Sequence, residues 1–206
     1  GEFVCCRLAD RVIVISRELE TYTRRKHDIE PAYIPNGVAR QVKRAPDHIK
    51  RIWNLEQDKY ILLVSRLIRH KGVHYAIEAF KRTATDKKLV IVGEGFHTKD
   101  YVNYLRDIAR EDERIIFTGM QTGDVLRELF SNAYFFIQPS ESEGLSIALL
   151  EAMAYGKPVL ASDIPENREA LEDTGFVFRN KDADDLRSRI EYILENPEIA
   201  SAKGAA

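Results

Sequence analysis

The chain has 206 residues, 31 of them Lys or Arg and 33 Asp or Glu, for a net charge of −2. That balance argues against nucleic acid as the main partner, which calls for a clear basic excess, and 11 glycines with 7 prolines are too few for a collagen-like or disordered chain. No apolar run approaches the ~18 residues of a membrane span and nothing at the start reads as a signal peptide, so a cytoplasmic globular protein is expected.

Cys5 and Cys6 stand side by side with no second pair. This excludes a disulfide framework and a zinc cluster, and predicts two buried thiols. The first apolar run, 12–15, reads as a strand, followed by a helix over 17–26 capped by Ser16. Ile34-Pro35-Asn36-Gly37 is a turn signal that marks a boundary. One strand and one helix cannot build a core, so 1–37 is expected to be the remnant of a second domain, and 38–206 a domain of its own. The isolated strand edge predicts self-association through 1–37.

After a short charged helix over 47–53, apolar runs fall at 60–64, 89–92, 115–117, 134–137, 159–161 and 176–178. Each is continuous rather than alternating, as in buried parallel strands. Between them Val73, Ile77 and Phe80 repeat with helical spacing, as do Tyr101, Leu105 and Ile108, and then Leu186, Ile190 and Ile193. Strict alternation of strand and helix predicts an α/β protein with six mostly parallel strands. Residues 201–206 read as a frayed end.

Ligands of open parallel sheets bind beyond the carboxyl ends of the strands, which directs attention to three loops. The first carries Arg66, Arg69 and Lys71 just ahead of a helix opening near Gly72. Cations there are disfavoured by about 0.3–1 kcal/mol each unless an anion is bound, and phosphate fits. The second runs from Glu143 through Ser146 into an apolar helix that should be buried. Within it Glu151 is a carboxylate that needs either an internal basic partner or a pair of sugar hydroxyls. The third, Gly93-Glu94-Gly95, lacks the third glycine of a dinucleotide fingerprint, which disfavours NAD. The five histidines, at 27, 48, 70, 74 and 97, lack metal-ligand spacing and read as surface residues, and Asp112-Glu113 and Asp184-Asp185 read as solvated faces.

Ser65-Arg66-Leu67 with Lys71-Gly72, Gly93-Glu94-Gly95, Phe117-Thr118-Gly119, Pro139-Ser140 and the E-x7-E pair Glu143 and Glu151, trailed by Ala152-Met153-Ala154-Tyr155-Gly156-Lys157-Pro158-Val159, resemble the donor-binding half of family 4 glycosyltransferases. The resemblance implies the C-terminal half of a GT-B fold: a Rossmann-like three-layer domain with a six-stranded parallel sheet. It implies a retaining enzyme that moves a hexose from a UDP-, GDP- or ADP-sugar to an acceptor hydroxyl of a lipid, polysaccharide or small molecule, without a metal. Arg66 and Lys71 would grip the diphosphate and Glu151 the ribose. Glu143 would contact the transferred sugar, and Gly144, Leu145 and Ser146 the sugar and phosphate. Gly93 and Gly95 let the backbone turn close to a ligand ring or to a neighbouring strand, and the resemblance would place Met120 and Gln121 beside the base. Most of the acceptor domain and a crossing C-terminal helix would lie outside these residues, so the chain alone is expected to bind donor weakly and transfer nothing. Two other readings compete: a nucleotide-sugar epimerase of the same fold, and a non-catalytic nucleotide-binding module.

Overall fold

The computed structural model describes residues 2–206. Helix α1 (Glu2–Leu8), strand β1 (Ile13–Val14), helix α2 (Arg17–His27) and strand β2 (Ala32–Tyr33) come first, and β1 pairs in parallel with β2. Ser16 caps α2 as expected, its side chain accepting from the Leu19 amide. The expected strand is thus shorter than its apolar run and has a neighbour. Helix α1, on which Cys5 is exposed and Cys6 half-buried, has no buried residue. The expectation of two buried thiols therefore fails, because among the described residues none packs closely enough on α1 to bury them.

The remainder is helix α3 (His48–Trp53), then β3 (Tyr60–Val64), a 3-10 turn (Arg69–Lys71), α4 (Val73–Lys81), β4 (Lys88–Val92), α5 (Lys99–Ala109), β5 (Ile115–Gly119), α6 (Gly123–Asn132), β6 (Phe135–Gln138), α7 (Ile147–Ala154), β7 (Val159–Ser162), α8 (Pro165–Leu171), β8 (Phe176–Phe178), α9 (Ala183–Glu195) and α10 (Pro197–Ala205). Strands β3 to β8 make a six-stranded sheet in the order β5-β4-β3-β6-β7-β8, every adjacent pair parallel. Continuous apolar runs built these strands because both faces are covered. On one face Ile61, Leu63, Ile91, Phe135 and Ile137 pack under α4, α5 and α9. On the other Tyr60, Leu62, Val90 and Phe136 pack under α3, α6, α7 and α8. Each such large apolar side chain contributes about 1.5–3 kcal/mol on burial.

Four expectations are corrected here. His27 and His74 are buried, not on the surface: His27 Nε2 lies 3.0 Å from Glu2 Oε1, and His74 Nδ1 lies 2.8 Å from the Tyr101 hydroxyl. Polar partners across helix faces make that burial tolerable. Asp112 is not a solvated face, since its side chain is 12% exposed and paired with Arg114 at 2.7 Å. Residues at the C-terminal end form α10 rather than fraying, with Lys203 donating to the Asp173 carbonyl at 2.7 Å. Helix α7 buries only Leu149 and Ala152, and Ile147 is exposed, because a helix of 8 residues lying on β6 and β7 turns one face toward the sheet.

Candidate functional site

The strand order reverses between β3 and β6, so the loops leaving them, 65–72 and 139–146, diverge from a shared point at the carboxyl edge. This is the switch point at which open sheets bind ligands. Two glycines press the loops together. Gly72 has φ +67°, and a Cβ there would stand 1.9 Å from the Pro139 carbonyl oxygen. Gly93, ending β4, has φ +137°, and its Cβ would meet the Ser65 carbonyl at 1.8 Å. Any side chain at either position would drive backbone apart. The close approach thus serves the neighbouring strand's loop, and it places Arg66 and Lys71.

Lys71 reaches across the junction to Glu143, 72 residues later, its Nζ donating to the two carboxylate oxygens at 2.6 and 2.7 Å. The pair is well covered, its side chains 14% and 6% exposed. Glu143 Oε1 also accepts from Ser140 Oγ at 2.6 Å and Gln138 Nε2 at 2.8 Å. Gln138 in turn accepts from Ser146 Oγ at 3.2 Å, and Ser146 caps α7 by accepting from the Leu149 amide. Ammonium, carboxylate and helix opening therefore form one hydrogen-bonded assembly. Lys71 and Glu143, expected to face a ligand separately, are partners of each other, because a buried ammonium and carboxylate held apart would each cost several kcal/mol.

The other candidates fall around this assembly. Arg66 is exposed, and among the described residues no carboxylate pairs with it. Arg69 is exposed beside it. Glu151, half-buried on α7, makes no ion pair among the described residues, and burial raises its pKa above the usual carboxylate value. The internal basic partner weighed for it is absent. Gly144 lies against Ile15, at 3.2 Å from a would-be Cβ, so the first strand-helix unit packs on this loop. Leu145 is half-buried and Met120 exposed, while Gln121 donates from Nε2 to the Thr118 carbonyl at 2.7 Å. A cavity of about 290 Å³ opens beside Gly93, walled by Leu67, Glu94, Gly95, Phe117 and Gly119. Arg66, Lys71 and Glu151 do not line it; the cavity lies beside the junction. Among the described residues no three His, Cys, Asp or Glu side chains gather as a metal centre would need.

Gln138 is not among the candidate residues the sequence offers, and Ser140 enters there only through the Pro139-Ser140 pair. Their signal was present: a polar residue closes the apolar strand β6, and Gln138 is 2% exposed. A buried amide at a strand's carboxyl end needs a partner, and here the partner is Glu143.

The sheet order, with loops diverging at a switch point, defines a Rossmann-like α/β domain. Residues 46–205 match the family described as glycosyl transferases group 1, and the chain belongs to that family. It is 32% identical over 148 residues to an uncharacterized glycosyltransferase of Methanocaldococcus jannaschii, covering 68% of this chain and 37% of that protein. It is 30% identical over 168 residues to the sulfoquinovosyl transferase SQD2 of Arabidopsis thaliana, covering 76% of this chain and 31% of that protein. Among solved structures, Anabaena Alr3699/HepE in complex with UDP and glucose superposes with a TM-score of 0.88 at 22% identity, over 98% of this chain and 58% of that one. Sucrose-phosphate synthase of Thermosynechococcus elongatus superposes with a TM-score of 0.83 at 27% identity, over 98% of this chain and 53% of that one. The fold is that of the GT-B glycosyltransferases, and the chain spans about a third to just over half the length of these relatives.

Proposed function

We propose that this chain is the donor-binding half of a retaining glycosyltransferase that moves a hexose from a nucleotide-sugar to an acceptor hydroxyl, and that 1–37 belongs to the acceptor domain. The observation that carries this reading is the junction at the switch point. One loop there presents an exposed, acid-free guanidinium at Arg66 and delivers Lys71 to the mouth of α7. An ammonium has three N–H donors, and Glu143 takes two from Lys71. The third remains for a phosphate oxygen, together with the free amides of the first turn of α7. Arg66 supplies the bidentate fork that a diphosphate fits.

In this reading the two cations stabilise the charge that grows on the departing nucleoside diphosphate, and no metal is needed for that task. Glu143 Oε2, bonded only by Lys71, accepts from a hydroxyl of the transferred sugar. Glu151, half-desolvated and without a basic partner, takes the paired ribose hydroxyls, and Met120 and Gln121 lie beside the base. The acceptor attacks on the face from which the diphosphate leaves. Two similar structures bound to UDP or UDP-glucose favour a UDP-sugar as first choice for testing. With the acceptor domain largely outside these residues, the chain binds donor and transfers nothing alone.

Calorimetric titration tests this. Arg66→Ala should weaken UDP binding about tenfold or more, the 1.5–3 kcal/mol of a hydrogen bond to a charged group, and leave uridine nearly unchanged. Equal losses for the two ligands would remove Arg66 from the phosphate role.

A further inference from the structure

We propose a second anion site at the opposite pole of the sheet, built to hold inorganic phosphate. Strands β3, β6 and β7 are neighbours, and Asp58, Tyr134 and Lys157 stand just before their amino ends. There a cavity of about 230 Å³ is walled by Lys157, Lys43, Gln57, Asp58, Tyr134 and Ser201. It is a full strand length from Arg66 and Glu143, which follow the carboxyl ends of the same strands.

Lys157 is 9% exposed, yet its nearest carboxylate, Asp58 Oδ1, stands 4.0 Å away. Among the described residues nothing accepts a hydrogen bond from its Nζ, whereas Lys71 donates twice to Glu143 and Arg114 is held by Asp112. The side chain is buried while its ammonium faces the cavity without a protein acceptor, and burial pulls its pKa below the usual lysine value. An oxyanion in the cavity would supply those acceptors and answer the charge of Lys43. The Ser201 hydroxyl is a neutral donor on the same wall, and Gln57 Nε2, which donates to Asp58 Oδ2 at 3.2 Å, keeps a second N–H. Asp58 decides which oxyanion. Its carboxylate accepts from a P–OH, which inorganic phosphate keeps at neutral pH and sulfate does not. The two lysines draw an anion in, and the aspartate rejects one without a proton to give.

The test titrates the whole chain with sodium phosphate at fixed ionic strength, by calorimetry, with saturating UDP present to occupy the donor site. The expected result is one phosphate site, with sulfate at least tenfold weaker. Lys157→Gln should abolish binding and Lys43→Gln should weaken it severalfold, while Arg66→Ala leaves it unchanged. Asp58→Asn should narrow the gap between phosphate and sulfate. Should Lys157→Gln fail to fold, the exposed Lys43 still decides. No heat with phosphate in the UDP-saturated protein, equal affinity for sulfate, or full binding by Lys43→Gln and Lys157→Gln would overturn the site.

Discussion

Helices α2 and α4 share a repeat but not a chemistry. The inward face of α4 carries Val73, Ile77 and Phe80 at i, i+4 and i+7, whereas that of α2 carries Glu20, Thr23 and His27 at i, i+3 and i+7. Helix α4 is held by the core beneath the sheet. Helix α2 is held by charges: Glu20 pairs with Arg17 and Arg24 at 2.9 Å each, and His27 meets Glu2. Its tie to the main domain is also polar, with Glu169 accepting from the Arg17 amide at 2.8 Å and from the Tyr33 hydroxyl at 2.9 Å. Periodicity makes a helix, but the area removed from water sets how firmly it is anchored.

The sharpest way to break this comparison is truncation inside α4. Phe80→Ala should cost about 3–5 kcal/mol in urea unfolding, while Ile13→Ala, at an exposed site in the first unit, should cost less than about 0.5 kcal/mol. Similar costs would mean that residues 2–37 share the main core.

Next in size is the polar tie. Glu169→Ala should cost about 1–2 kcal/mol, and amides of α2 should exchange faster with solvent while those of β3 and β6 do not change. Uniform acceleration would show that the two regions open together.

A smaller effect concerns Glu128, buried beside α3. Burial alone would raise its pKa, but His48 and the amides of Ile49 and Asp47 outweigh that and hold it below the usual value. A depressed carboxylate stabilises the fold above its unfolded value of ~4.3 and loses that contribution as pH falls through the lower folded value. Glu128→Gln should therefore lose more stability at pH 7 than at pH 3. Equal losses would deny the carboxylate its charge-dependent role.

The smallest expected effect has the opposite sign. Burial raises the pKa of Glu151 with nothing to oppose it, so stability falls as pH rises from its unfolded value of ~4.3 through the raised folded value, and the loss is complete above that. Glu151→Gln should slightly raise the urea midpoint at pH 7, leave it unchanged near pH 3, and weaken nucleoside binding. A residue that improves the fold when neutralised and harms binding is one kept for a ligand.

What could be read directly was whatever repeats locally. Continuous apolar runs marked the strands β3 to β8, and the stripe of α4 was plain, because strand and helix periods are properties of neighbouring residues. The cations ahead of α4 and the lone carboxylate of α7 were visible as violations of local preference. Burial of His27 and His74 was not, since each depends on a polar partner from another helix.

The chain's order of residues determined an α/β domain of parallel strands, the capped start of α2, and loops rich in charge at the ends of strands. Tertiary structure alone decided that Lys71 meets Glu143 across 72 residues, that Glu169 holds a backbone amide 152 residues away, and that Lys157 is largely buried at the amino end of its strand. The reason is physical. Spacing along the chain sets which way a side chain points, but its partner is set by which strands lie side by side, and that order is chosen by packing the whole core at once.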